Sequence, residues 1–152
     1  MRKEPWRRWE DDVAEAIGGD LVKASGATDY HKGDVKSKTF LVDAKHTESA
    51  GYSVSESFWR ELSTWARNEG REPAIAIRVE SPDMHEIAVV GEMSYAERHP
   101  DFVPDDQLKK QKQKKVTAKM ASKKPTSFLV GNYRLVAYLF EEFAKDVRDE
   151  GQ

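Results

Sequence analysis

The 152-residue chain contains no cysteine. This absence excludes a disulfide framework, a cysteine-ligated zinc site and a cysteine nucleophile. Long apolar runs are missing too: no segment approaches the ~20 apolar residues of a membrane-spanning helix. The opening MRKEPWRRWEDD also lacks the apolar core of a signal peptide. We therefore expect one compact domain over residues 1–152 that is soluble, intracellular and without a membrane partner.

Acidic residues are absent from one part of the chain. Residues 107–124 contain eight lysines and neither Asp nor Glu. Because the formal net charge of the whole chain is −2, the remainder carries −10. Such segregation can mark contact with a polyanion, although a solvated, flexible loop is the plainer interpretation. The sequence thus predicts an exposed, Lys-rich variable segment at about residues 105–125, which has some helix-forming potential.

Apolar periodicity divides the chain into helices and short strands. The first helix is expected to end at Gly18-Gly19, and Ser55 is a plausible N-cap of the second. Residues 34–35 and 39–45 predict a hairpin that turns at 36–38. This order predicts an α/β fold of the α+β type, with a small mixed β-sheet flanked by helices. The predicted helices are 5–17, 53–68 and 132–147, and the other predicted strands are 21–24, 74–79, 86–90 and an edge strand at 127–130.

The hairpin carries charges inside an apolar strand, FLVDAK. Residues i and i+2 share a face of a strand, so Asp43 and Lys45 point the same way, and Asp34 on the partner strand can lie beside Asp43. Two neighbouring carboxylates repel, and a divalent cation removes the conflict. Mg²⁺ takes one or two protein carboxylates and keeps positions for water and phosphate. With a lysine to orient the attacking water, this set fits phosphodiester hydrolysis; the plainer alternative is an exposed hairpin with a surface ion pair.

A third acid can come from the first helix. The apolar stripe of that helix centres near Trp9 and Val13. Glu10 lies on the edge of the stripe that faces the sheet, and Asp12 lies on the other edge, slightly farther from the centre. Glu10 is therefore the better-placed candidate, with Asp12 as its competitor.

Several of these motifs together resemble a known family. KASGATDYHKGDV, then LVDAK, then a Ser-rich helix start and the strand PAIAIRV are similar to the PD-(D/E)xK nuclease superfamily. Within it, the resemblance is to Holliday-junction resolvases of archaeal and phage type, and it covers about residues 6–92. Two positions depart from the pattern: Gly33 stands where Pro is common, and Asp43 stands where Glu is more usual.

The resemblance implies a restriction-endonuclease-like core and a role for each motif residue. The implied catalytic set is Glu10, Asp34, Asp43 and Lys45. The implied ligands of Mg²⁺, or of Mn²⁺ in its place, are Asp34, Asp43, the Ala44 backbone carbonyl and Glu10. The predicted DNA contacts are Ser25, Gly26, Lys32, Ser53, Lys109, Lys110, Lys112, Lys114 and Lys115; capping is the plainer role of the serines.

The implied function is resolution of four-way DNA junctions by a twofold homodimer, in the cytoplasm of a prokaryotic cell or of a phage-infected host. Two alternatives stay open. One is another nuclease of the superfamily, of restriction, repair or general branched-DNA type. The other is a non-catalytic nucleic-acid-binding protein on the same fold. Among the remaining residues, His31 is expected in a surface or packing role and Trp59 and Trp65 in the core or a dimer contact. His46 touches phosphate only if the strand ends before it.

Overall fold

The computed structural model describes residues 5–22 and 34–150, apart from the side chains of Trp6 and Arg7. None of the described helices is long and apolar enough to cross a membrane. Within the described ranges the helices are α1 (Pro5–Ile17), α2 (Glu56–Asn68), α3 (Glu92–Arg98), α4 (Ala118–Ser122) and α5 (Phe140–Glu150). The strands are β1 (Asp20–Leu21), β2 (Asp34–Lys36), β3 (Phe40–Thr47), β4 (Gly51–Ser55), β5 (Glu72–Val79), β6 (His85–Gly91), β7 (Gln113–Thr117), β8 (Thr126–Val130) and β9 (Tyr133–Leu139).

A mixed sheet of seven strands organises the described part of the chain, in the order β1-β2-β3-β5-β6-β9-β8. The only parallel pair in this sheet is β3 with β5, and α2 makes the crossover between them. The other pairs are antiparallel. The predicted mixed sheet flanked by helices is confirmed, and so is the hairpin of β2 and β3. Strand β8 is an edge strand, as predicted.

The two faces of the sheet bury separate apolar cores. In β3, Phe40 and Val42 pack with α1 and α5, whereas Leu41 packs with α2 and α4. This alternation follows from the two-residue period of a strand. Because both faces are covered, the central strands are nearly continuous in apolar residues rather than alternating with polar ones.

Helix α1 is fixed to the sheet by Trp9. The indole is 1% exposed, and its Nε1 donates to the carbonyl of Ala76 at 3.0 Å. The small side chains of Ala74 and Ala76 on this face of β5 leave room for the large ring. The ring also packs edge-to-face on Phe140 of α5, with ring centroids 5.0 Å apart. This anchor holds the N-terminal half of α1 above the middle of the sheet.

A separate two-stranded ribbon, β4 with β7, lies on the α2 side of the main sheet. Its strands pair antiparallel, with Ser53 opposite Lys115 and Val54 opposite Lys114. Val54 and Val116 are fully buried in the α2-side core. Two backbone bonds extend the attachment: the Lys112 carbonyl accepts from the Glu56 N–H at 2.9 Å, and the Gln111 carbonyl accepts from the Gly131 N–H at 2.6 Å.

The prediction of a helix at 132–147 is wrong over its first half. Residues Tyr133–Leu139 form strand β9, and α5 begins only at Phe140. The misleading feature was the apolar run LVAYL, which fits a helical face as well as a strand. In the fold, Leu135 and Ala137 face the α2-side core while Val136 and Tyr138 face the other core. Burial on two opposite sides requires a strand, because a surface helix buries one stripe only.

The prediction of a variable, possibly helical Lys-rich segment at 105–125 also needs correction. Residues Gln113–Thr117 form strand β7, and the short helix α4 follows directly. Val116 gives the strand an apolar anchor, and the ribbon with β4 satisfies its backbone. The predicted 53–68 helix begins three residues later, at Glu56, so Ser53 belongs to β4; Ser55 caps α2 as predicted.

Candidate active site

Asp34 and Asp43 face each other across the hairpin. They are register partners of the antiparallel pair β2–β3, and they are 1% and 5% exposed. Alternation places both on the α2 face of the sheet, the face to which Leu41 also contributes. The fold therefore brings two buried carboxylates together at one position, as the sequence predicted.

Burial dominates the electrostatics of this pair. Desolvation, followed by the charge of Asp43, raises the pKa of Asp34 to about 8; Lys45 opposes the shift, and Glu10 and Glu69 add to it. Desolvation also raises the pKa of Asp43, with Lys45 acting in the opposite direction. A carboxylate pair of this kind holds a proton unless a cation compensates its charge.

Lys45 is the cation next to the pair. Its Nζ lies 3.3 Å from Asp43 Oδ1 and 5.2 Å from the ring centroid of Phe58 on α2. Burial alone would lower the pKa of Lys45, but Asp43 and then Tyr52 outweigh it and raise that pKa. The ammonium group thus stays charged, and its side chain remains 32% exposed, within reach of an outside molecule.

Glu10 and Asp12, the two candidates on the first helix, interact with different partners. The charge of Glu10 is among the causes of the raised pKa of Asp34, so the two carboxyl groups interact. Asp12 instead accepts from Arg78 at 2.8 Å, and Arg78 also pairs with Glu86. Of the two candidates, Glu10 is the one whose charge acts on the acidic pair.

The sequence did not predict two neighbours of Lys45, Tyr52 and Phe58. Burial raises the pKa of the Tyr52 phenol; the charge of Lys45 opposes this shift and the charge of Asp43 adds to it. The phenol therefore interacts with the same two charged groups that form the site. Phe58 supplies the ring beneath the ammonium group. The signal for Tyr52 was the alternation of Tyr52 with Val54 after Gly51, which is typical of a strand; the surrounding polar residues obscured it.

The predicted DNA contacts divide into two groups. Ser25, Gly26 and Lys32, like His31, lie outside the described residues. Ser53 and Lys115 are brought together as register partners on β4 and β7. Lys109, Lys110 and Lys112 are exposed in the segment before β7, whereas Lys114 is half-buried.

His46, Trp59 and Trp65 lie away from the acidic pair in their contacts. Strand β3 continues to Thr47, and His46 Nε2 lies 3.0 Å from Glu80 Oε1. This places His46 on the opposite face from Lys45, as expected for a continuing strand. Trp59 is 3% exposed within the α2-side core, and Trp65 packs partly buried against the same core.

The donor atoms of this site suit a hard divalent cation. Across residues 5–22 and 34–150, no three Asp, Glu or His side chains gather closely enough to form a metal site alone. Mg²⁺ does not need three, because it is usually held by one or two carboxylates and completes its shell with water and phosphate. Two facing buried carboxylates with raised pKa values fit that requirement.

No protein-family model matches the chain, and the search of curated proteins found no match. Among solved structures, the chain is similar to the Holliday junction resolvase Hjc of Archaeoglobus fulgidus, with 16% identity and a TM-score of 0.39. The alignment covers 55% of this chain and 71% of the resolvase. The site geometry, and not this similarity, carries the function proposed below.

Proposed function

We propose that the chain is a single-domain, Mg²⁺-dependent DNA endonuclease that cuts four-way junctions by hydrolysing a phosphodiester bond. The observation that carries the proposal is the register pairing of Asp34 with Asp43, buried beside the ammonium group of Lys45. An ordinary surface hairpin would expose these groups, and exposed ion pairs stabilise a fold little. Keeping two buried acids together instead is typical of a functional site.

Asp34, Asp43 and the Ala44 backbone carbonyl would hold the metal. Glu10, which interacts with Asp34, would assist them, directly or through a bound water. When bound, Mg²⁺ supplies Lewis-acid polarisation of the phosphate and lowers the pKa of a water ligand; Mn²⁺ is expected to serve in its place.

Lys45 acts on the water and the phosphate. Its ammonium group, held between Asp43 and the ring of Phe58, orients the attacking water and offsets the negative charge that develops on the phosphate. A cation already fixed in place needs little reorganisation during the reaction. The half-exposed position of Lys45 lets the scissile phosphate reach it.

The choice of a four-way junction as substrate is supported by the order of the motifs, from Glu10 through Asp34 to Asp43 and Lys45, which resembles that of the resolvases. A homodimer is proposed with it, since resolving a junction takes two symmetric cuts. The expected setting is the cytoplasm of a prokaryotic cell or of a phage-infected host, in DNA recombination or repair.

The test compares cleavage of a labelled four-way junction with that of a linear duplex of matched sequence, in Mg²⁺ and in EDTA. We expect the protein to cut the junction but not the duplex, and to do so in Mg²⁺ but not in EDTA. Asp43→Asn and Lys45→Ala should each lower the rate of junction cleavage by at least about 10³-fold. Asp101→Asn, at an exposed position, is the matched control. Equal rates on both substrates would favour a general nuclease of the superfamily. Full activity of both site variants would mean that the acids and the lysine are not catalytic.

A further inference from the structure

The outward face of the β4–β7 ribbon has an unusual composition. Strand alternation places Val54 and Val116 toward the core, and the register partners Ser53 and Lys115 on the other face. The full outward set is Gly51, Ser53 and Ser55 on β4, with Gln113, Lys115 and Thr117 on β7. This face carries no acid and no large apolar side chain, and Lys115 is its cation.

Gly51 fixes where the Lys115 side chain lies. A Cβ atom built on Gly51 would stand 3.0 Å from both Cγ and Cε of Lys115 and 2.8 Å from the Val116 carbonyl oxygen. The lysine stem therefore runs flat across the space that a side chain at position 51 would fill. A stem packed against the ribbon loses less rotamer freedom on binding than one that extends into water.

The charge of Lys115 is available to an outside group. None of the eight lysines of residues 107–124 forms an ion pair with any of the residues that the structure describes. Lys114 differs from Lys115 in orientation, because it shares the inward face with Val54 and is half-buried. Hydroxyl, amide and ammonium groups are those that proteins use to contact the sugar–phosphate backbone.

The ribbon also adjoins the acidic pair. Tyr52, the neighbour of both Gly51 and Ser53, interacts electrostatically with Lys45 and Asp43. The ribbon therefore lies beside the catalytic groups, with its inward face toward them.

We propose that the outward face of the β4–β7 ribbon is a backbone-contact surface for DNA bound next to the active site, with Lys115, laid across Gly51, as its phosphate anchor. This deepens the proposed function, on which it rests. The proposal gives neighbouring lysines different roles. Lys115 binds a phosphate, whereas Lys114 supports the ribbon. Contacts of this kind position the strand and read no sequence.

The experiment measures binding of a fluorescent four-way junction by anisotropy in EDTA, so that no cleavage occurs, at several salt concentrations. Lys115→Ala should lower the affinity about eightfold at 0.1 M salt and reduce the slope of log K against log salt by about 0.9, as for one lost phosphate contact. Lys119→Ala, an exposed lysine of α4, is the matched control and should bind like wild type. Lys115→Arg, which keeps the charge, should keep the wild-type slope.

The outcomes separate this proposal from the proposed function. Equal losses for Lys115→Ala and Lys119→Ala would overturn the ribbon proposal and leave junction cleavage untouched. A specific loss for Lys115→Ala, in a protein that cuts no DNA with Mg²⁺ or Mn²⁺, would support the ribbon and overturn the nuclease. A wild-type protein that neither binds nor cuts DNA, with or without Mg²⁺, would overturn both.

Discussion

Asp34 should make the protein sensitive to pH when divalent cations are removed. In the folded state its carboxyl group holds a proton up to about pH 8, whereas the ordinary pKa is 3.8. Between these values the folded state binds more protons than the unfolded state, so the free energy of unfolding falls as pH rises. Below the ordinary pKa both states are protonated and the contribution is fully present.

The prediction is that the wild-type protein in EDTA loses on the order of 2 kcal/mol of unfolding free energy between pH 5 and pH 8, measured by urea unfolding. Asp34→Asn should flatten this dependence, because its amide carries no charge at either pH. Asp101→Asn, at an exposed position, should keep the wild-type dependence. A profile for Asp34→Asn as steep as that of wild type would show that another group is responsible.

Tyr52 offers a second prediction at the scale of single residues. Removing its hydroxyl with Tyr52→Phe keeps the packing of the ring but takes a polar group away from the surroundings of Lys45. We expect the rate of junction cleavage under single-turnover conditions to fall about tenfold, with DNA affinity unchanged. Tyr133→Phe is the matched control. A weaker affinity with an unchanged rate would instead place the phenol in DNA binding alone.

These residues also show what local sequence can and cannot reveal. Asp34, Asp43 and Lys45 were predictable because a tight hairpin and a two-residue period fix their positions. Tyr52 was not, because its place depends on pairing between Gly51–Ser55 and Gln113–Thr117, which are far apart in the chain. Pairing across such a separation leaves little local pattern to read.

At the scale of elements, the start of α2 should be sensitive to its cap. Ser55 Oγ accepts from the Phe58 N–H at 3.1 Å and so satisfies one of the free donors of the first turn. Ser55→Ala should cost about 1 kcal/mol of unfolding free energy, and Ser55→Asp should recover most of it. Ser57→Ala, also in the first turn but exposed, should change stability by less than about 0.5 kcal/mol. Thermal or urea unfolding measures all three, and equal losses for the two alanine variants would argue against the cap.

The elements differ in how well the sequence predicted them. Helix α1 carries one clear periodicity, β5 and β6 are short apolar runs separated by the turn signal at Ser81-Pro82-Asp83, and the structure has all three. The segment from Leu135 to Leu139 is apolar on consecutive residues, a pattern that a buried helix and a doubly covered strand share. Only its pairing with β6 and β8 decides between them, and that is a property of the sheet rather than of the segment.

At the scale of the whole molecule, acidic and basic residues are concentrated in different parts of the chain. The excess of acids outside residues 107–124 includes the buried pair beside Lys45, while five of the eight lysines of residues 107–124 lie on the ribbon or in the segment leading into it. A protein with this arrangement can bind a polyanion although its net charge is −2. In the proposed complex with DNA, the acidic remainder repels nucleic acid from the other surfaces.

The proposed homodimer has a consequence for the products of cleavage. A dimer with two active sites can cut both strands of one junction before it dissociates, so a supercoiled plasmid that extrudes a four-way junction should become linear. If wild-type protein is first equilibrated with a ninefold excess of Asp43→Asn, dimers with one active site should outnumber fully active ones roughly eighteenfold. Such dimers cut one strand only, and the main product should change from linear to nicked circular DNA, as measured on an agarose gel. Asp101→Asn as the excess partner should leave the product linear. If the Asp43→Asn mixture instead lowers total cleavage in proportion to dilution and the product stays linear, the active sites do not work in pairs, and the junction is not cut by a symmetric dimer.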